Sequence, residues 1–278
     1  MSRVAVVGLG LIGGSLALAA RALGHDRDAG VRQRARRKGI EALDSLEAAI
    51  EDAEVVVTAV STAETPALLR EISAVAPRAV LTDTASLKMP MVLAAQTLRA
   101  GVRFVAGHPL AGSRREGIEA ASAELFAGRP WILVPTARSD EAAIAAVTDL
   151  VDAVGARAIL LDAERHDRLM TWISHLPLAV ATSLMRAAAA EAGPDLAALA
   201  GPGFLDTTRI AGQRLELALE LALADPDALA RSIDAVRSEL SRLATALRDR
   251  DERALSHFFE EAVAARRDLD AFPDPKRS

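Results

Sequence analysis

Residues 3–24 read RVAVVGLGLIGGSLALAARALG, and this stretch decides the fold. A short β-branched run is followed at once by G-x-G-x-x-G and then by an Ala/Leu-rich helical pattern. That is the strand, glycine turn and helix of a dinucleotide-binding unit. Gly8 is expected to make the tight turn, Gly10 to admit a pyrophosphate against the backbone, and Gly13 to let helix and strand pack closely. Leu11 and Ile12 open the helix, whose first turn presents free N–H groups and the positive end of the dipole to a phosphate.

The template then expects the helix to close near Gly24 and a second strand to lead to an acidic residue that holds the adenosine ribose. After Gly24 the chain reads HDRDAG and then VRQRARRKG. The second strand is therefore missing, much shortened, or replaced by the segment around residues 29–32. Asp26 and Asp28 are both candidate ribose ligands. Arg27, Arg32, Arg34, Arg36, Arg37 and Lys38 form either a solvated helix face or a pocket for the 2′-phosphate of NADP.

Beyond this point strands and helices alternate. EVVVTAV (residues 54–60) is a continuous apolar run of the kind buried in a parallel sheet, and Val60 and Ser61 at its end join the expected cofactor contacts. AVLTD (79–83), VRFVAG (102–107), WILVP (131–135) and ARAILLD (156–162) read as further strands, with helical periods between them, among them an acid-capped helix after residue 61 and another over 140–154. From about residue 165 the strand signals stop, and the chain is helical by composition to about residue 270. The reading is an α/β protein with a Rossmann-like, doubly wound, mostly parallel sheet, followed by an all-helical C-terminal domain. The first domain is placed at 1–164 and the second at 165–278, with the boundary within 162–168.

Composition narrows the function. The 278 residues are 51% hydrophobic but only 3% aromatic, which suits Ala-rich helices around a sheet better than an all-β sandwich. A formal net charge of −5 argues against nucleic acid and anionic membranes as partners. With no cysteine, disulfides, thiolate catalysis and Cys-based zinc sites are excluded, and five histidines without HExxH spacing leave no dedicated metal site. No apolar run reaches the roughly 18 residues needed to span a bilayer, and no signal segment is recognisable, so a cytoplasmic enzyme is expected.

The candidate chemistry lies in polar clusters that interrupt apolar surroundings. GHPLAGSRREG (107–117) places His108 after a hydrophobic run, at a strand end where open α/β sheets bind ligands. TDTASLK (82–88) comes after another strand and brings Ser86 to the same rim, unless Ser86 is only a helix cap. Arg165-His166-Asp167-Arg168 and SHLP (174–177, with His175) open the helical part, where His175 reads equally as a satisfied interface histidine. GPGFLDTTR (201–209) reads as a glycine-rich loop leading to Arg209, an arginine suited to clamping a carboxylate. Together these features point to redox chemistry on a carboxylated small molecule.

The ordered set GLGLIGGSLA, TDTASLK, GHPLAGS, ELFAGRPWILVPT, SHLP and GPGFLDTTRIA resembles the prephenate/arogenate dehydrogenase family of tyrosine biosynthesis over residues 3 to about 212. The resemblance implies oxidative decarboxylation of a cyclohexadienol, with hydride passing to NAD or NADP, NAD being slightly preferred. It implies His108 as the base that takes the ring hydroxyl proton and Ser86 as a holder of the same hydroxyl. It further implies Arg209 as a carboxylate ligand, Asp167 as a supporting acid, His175 as a nearby structural group, and a homodimer made through the helical domain. Some prephenate-using relatives read SHLPH where this chain has Leu178, which leaves prephenate and arogenate both open, with a lean to arogenate or mixed use. Two alternatives stand beside this reading. One is a degenerate nucleotide-sensing Rossmann protein. The other is a β-hydroxyacid-type dehydrogenase, disfavoured because no lysine occurs between Lys88 and Lys276 to serve as that class's helical-domain base.

Overall fold

The computed structural model describes residues 3–76, 78–113 and 115–271. Its chain divides into two compact units, Met1–Asp167 and Arg168–Ser278. The first unit is built on a seven-stranded sheet of order β2-β1-β3-β4-β5-β6-β7. In chain order the elements are β1 (Val4–Val7), α1 (Leu11–Ala20), β2 (Leu23–His25), α2 (Ala29–Arg37), α3 (Leu46–Ile50), β3 (Val55–Thr58) and α4 (Thr65–Val75). They continue through β4 (Val80–Asp83), α5 (Met89–Gln96), β5 (Arg103–Pro109), β6 (Pro130–Pro135), α6 (Glu141–Ala153), β7 (Arg157–Leu160) and α7 (Ala163–Met170). All pairings are parallel except β5 with β6. Every residue of β3 and β4 is buried, because helices cover both faces of the sheet.

In the first βαβ unit one expectation needs correction, and of the three alternatives for the second strand the shortened one holds. The first helix ends at Ala20, not near Gly24, because Arg21 turns left-handed (φ 50°) and its N–H caps Ala17. The early stop frees Leu23–His25 to pair with β1, in the register Ala5↔Leu23 to Val7↔His25. The second strand is thus present but only three residues long, and the segment around 29–32 is helix, capped by Asp28. The acid before α4, Glu64, makes no capping bond and instead accepts from the Ser61 hydroxyl at 2.8 Å.

The chain reverses direction across the sheet between β1 and β3, since β1 leads outward to β2 and β3 returns to the opposite side of β1. Ligands of open α/β sheets lie at the carboxyl ends of such a switch point. The second unit is helical: a π-helical turn Thr171–His175, then α8 (Leu176–Ala192), α9 (Asp195–Leu199), α10 (Pro202–Thr208), α11 (Leu215–Ala224), α12 (Pro226–Asp249) and α13 (Glu252–Asp270). Among the described residues no helix is long and apolar enough to cross a membrane.

Candidate active site

The carboxyl ends of β1, β2 and β3 frame a cleft of about 610 Å³, lined among others by Gly8, Gly10, Asp26, Arg27, Val60 and Glu64. The glycines occupy the stations that the motif predicts. Gly8 has φ +96°, and a Cβ there would come within 2.5 Å of the Ala59 carbonyl oxygen. A Cβ on Gly13 would fall 1.8 Å from the Gly8 carbonyl oxygen, so helix and turn touch backbone to backbone. Gly10 differs: its Cβ would meet nothing within 4 Å, and it sits at the N-cap of α1. The open face of Gly10 and the N–H groups behind it suit a pyrophosphate. Leu11 and Ile12, both half-buried, form the first turn of α1.

Asp26 comes directly after β2. Its Oδ2 accepts the Leu9 N–H at 2.8 Å and its Oδ1 the Asp28 N–H at 2.9 Å, which fixes the carboxylate against the glycine turn. Each oxygen retains a further acceptor position for a ribose hydroxyl. Asp28 also lines the cleft, but its Oδ1 caps α2 by accepting from Gly30 and Val31, and those backbone bonds hold its carboxyl below the usual range.

The basic run is largely engaged in structure. Arg32 donates to the Asp26 and Arg27 carbonyls and pairs with Asp44, and Arg36 donates to Asp44 and the Ala42 carbonyl. Arg34 pairs with Glu119, and Lys38 donates to the Ala121 carbonyl. Arg27 reaches Glu64 at 2.7 Å; Ser61, exposed just past Val60, holds the same carboxylate.

A second cluster lies at the ends of β4 and β5. The β4–β5 ladder stops at Thr82↔Val105, whereas β5 stays paired with β6 as far as Pro109↔Trp131. Where the ladder stops, side chains replace it. The Gly107 N–H donates to Asp83 Oδ1 at 3.0 Å, and Lys88 Nζ donates to the Gly107 carbonyl and to Asp83 Oδ2, the latter at 2.6 Å. Both partners of this ion pair are fully buried. Burial pushes the Lys88 ammonium below its usual range, against the opposing pull of Asp83 and Asp167. Only glycine fits at 107, because a Cβ there would approach the Asp83 carbonyl oxygen to 2.6 Å.

His108 is thereby set, half-buried, at the carboxyl end of β5. Its Nδ1 lies 2.9 Å from His166 Nε2, and His166 Nδ1 lies 2.6 Å from Asp167 Oδ1. Asp167 also accepts the backbone N–H groups of Lys88 and Met89, each at 2.9 Å. Burial acts to raise the Asp167 carboxyl, but the His166 bond and these two amides outweigh it and hold the group below its ordinary value. Ser86 is half-buried on the loop between β4 and α5, and Lys88 rather than Ser86 occupies the cap of α5.

The structure therefore links His108 to Asp167 through His166 within the first unit, and Asp167 accepts from the Lys88 and Met89 amides, two and three residues past Ser86. His175 and Arg209 belong to the second. His175 is buried at the end of the π-helical turn and lines a groove of about 550 Å³ with Leu178, Thr182, Arg186, Leu221 and Leu229. Arg209 is exposed and opens a 3-10 turn, Arg209–Gly212. The segment before it is the helix α10 and not the expected glycine-rich loop, because Pro202 fits the first helical turn, where a missing N–H costs nothing. Among the described residues no cluster of three or more His, Asp or Glu could hold a metal.

Sequence reasoning assigned no role to Lys88, Asp83 or His166. The available signals were a lysine inside the apolar stretch TASLKMP and a histidine beside the supporting acid Asp167.

A dinucleotide cleft at the switch point, with a histidine at the rim of a nearby strand, defines a nicotinamide-dependent dehydrogenase. Comparison with known proteins specifies it further. The model of the prephenate dehydrogenase nucleotide-binding domain matches residues 17–160, and that of the prephenate dehydrogenase dimerization domain matches residues 162–261. The chain is 32% identical to the prephenate dehydrogenase of Lactococcus lactis subsp. cremoris over 97% of its own length and 78% of that protein's. It superposes on the Synechocystis arogenate dehydrogenase with a TM-score of 0.81 and 29% identity, covering 96% of this chain and 99% of the other. With the A. aeolicus prephenate dehydrogenase bound to hydroxyphenyl propionate and NAD+, the TM-score is 0.85 at 27% identity, over 97% and 98% of the two chains. The chain belongs to the prephenate dehydrogenase family.

Proposed function

We propose that the chain oxidatively decarboxylates a cyclohexadienol, arogenate or both arogenate and prephenate, with NAD+ preferred to NADP+ as hydride acceptor. The observation that carries this reading is the placement of His108 and Ser86 at the ends of β5 and β4, on the same sheet edge as the glycine-lined cleft. Gly8, Gly10, Leu11, Ile12, Gly13, Val60 and Ser61 hold the cofactor, and Asp26 takes the ribose. When bound, the nicotinamide ring supplies the acceptor for the hydride that leaves the hydroxyl-bearing ring carbon.

The protein's own work is positioning and proton handling. His108 takes the ring hydroxyl proton as the carbonyl forms, and Ser86 holds that oxygen in place. Carbon dioxide then departs, its bonding pair enters the ring to make it aromatic, and His108 returns the proton to the phenolic oxygen. Arg209 binds a substrate carboxylate, Asp167 supports the proton-handling side, and His175 shapes the second unit around Leu178. Leu178 offers no hydrogen bond to a keto-acid side chain, which supports arogenate or mixed use over prephenate alone.

The preference for NAD+ rests on charge. Asp26 repels a 2′-phosphate, and Arg27, Arg32, Arg34, Arg36 and Lys38 are each engaged by carboxylates or carbonyls. A matrix of initial rates with both substrates and both cofactors tests this. NAD+ should give the higher kcat/KM, Asp26→Asn should raise the KM for NAD+ about tenfold or more, and Arg209→Ala should raise the KM for substrate. A preference for NADP+, or an unchanged substrate KM in Arg209→Ala, would remove the corresponding assignment.

A further inference from the structure

The structure assigns a role to His166: it is a positioning residue that fixes the tautomer of His108 and forms, with Asp167, a three-member hydrogen-bonded chain behind the base. The inference rests on the reading of His108 as the group that accepts the substrate hydroxyl proton.

Asp167 is ionised, because its carboxyl is held below the ordinary range, and a carboxylate only accepts. The 2.6 Å contact to His166 Nδ1 therefore carries a proton on that nitrogen. In the proposed arrangement His166 keeps its lone pair on Nε2, 2.9 Å from His108 Nδ1, so the proton of that second contact belongs to His108 Nδ1. Neutral His108 consequently has its lone pair on Nε2, the nitrogen turned away from His166. The direction of donation along the chain is set at its far end, by a carboxylate that two backbone amides of the β4–α5 connection hold in place.

A histidine left without an acceptor at Nδ1 mostly carries its proton on Nε2, where it cannot act as a base. His166 is suited to prevent that, since it is fully buried and its ring meets that of His108 edge-on at 5.1 Å and 63°. When His108 takes the substrate proton, the cation forms with its Nδ1–H already donated to His166 Nε2. The charge is thereby shared toward Asp167, with no group left to reorganise. Among the described residues, the buried Lys88–Asp83 pair adjoins this chain, the Asp167 carboxylate acting on the Lys88 ammonium. The arrangement obeys the logic by which an orienting acid fixes a catalytic imidazole in hydrolytic triads, with a second imidazole interposed.

Two measurements on the full-length protein test the assignment. The first is the ¹⁵N signature of the imidazoles in ¹⁵N-histidine-labelled protein. His108, identified by its loss in His108→Asn, should titrate from a neutral form protonated on Nδ1; a neutral form protonated on Nε2 overturns the proposal whatever the activity. The second is a pair of kinetic variants. His166→Leu should lower kcat by about 10²- to 10³-fold with little change in KM. His166→Gln, whose side-chain oxygen can accept from His108 Nδ1, should recover most of that loss. Equal loss in both variants, or wild-type kcat in His166→Leu, overturns it. Should His166→Leu fail to fold, the Gln variant and the spectrum still decide. An active His108→Asn would instead defeat the underlying reading of the base and leave the tautomer assignment standing on its spectrum.

Discussion

Lys88 and Asp83 show how much of this site is held from below. Their ion pair lies wholly out of solvent and takes over the N–H and C=O of Gly107 where the β4–β5 ladder ends, one residue before His108. Truncating one partner strands the other charge in the interior. Lys88→Met is therefore expected to cost about 3–5 kcal/mol of stability, read as a lowered denaturant midpoint. A variant with a wild-type midpoint would mean that the pair carries no such burden. At this scale the sequence was half legible. His108 and Ser86 stand out as candidates because a Gly-His-Pro and a Thr-Ala-Ser after apolar runs are polar interruptions with a chemical use. Lys88 and His166 do not, since their meaning lies in burial and in a partner up to 79 residues away, which no local pattern encodes.

Among the elements, the strands of the first unit other than β2 were readable because each contains an apolar run. The errors fell where local chemistry outweighed the pattern. Arg21 adopts a left-handed turn that glycine would take more readily, so Gly24 looked like the helix stop when it lies inside β2. Pro202 and Gly203 read as a loop but open α10. The helices of the second unit carry a different message. Leu215, Leu219 and Leu223 recur every fourth residue on α11 and are each at least half exposed, and Ile233, Leu240 and Leu247 line one face of α12 at intervals of seven. Exposed stripes of that kind need a partner surface. We infer that a second copy of the chain covers them, in keeping with the match to a dimerization domain. Wild-type protein should scatter light as a dimer, and Leu219→Glu with Leu240→Glu should shift it to monomer. A monomeric wild type would contradict the inference.

For the whole molecule, the residues to which the proposed function gives roles fall in both units. The sheet unit carries the dinucleotide cleft, Ser86 and the His108–His166–Asp167 chain, and the helical unit carries Arg209 and the groove around His175. The central claim is that His108 is the base in a hydride-transferring decarboxylation. The most direct test monitors NADH formation from arogenate and from prephenate by the wild type and by folded His108→Asn. The account predicts turnover by the wild type and a fall in kcat of about 10³-fold or more in the variant, with KM nearly unchanged. A His108→Asn enzyme with near wild-type kcat, or a folded wild type that oxidises neither substrate with either cofactor, would contradict it.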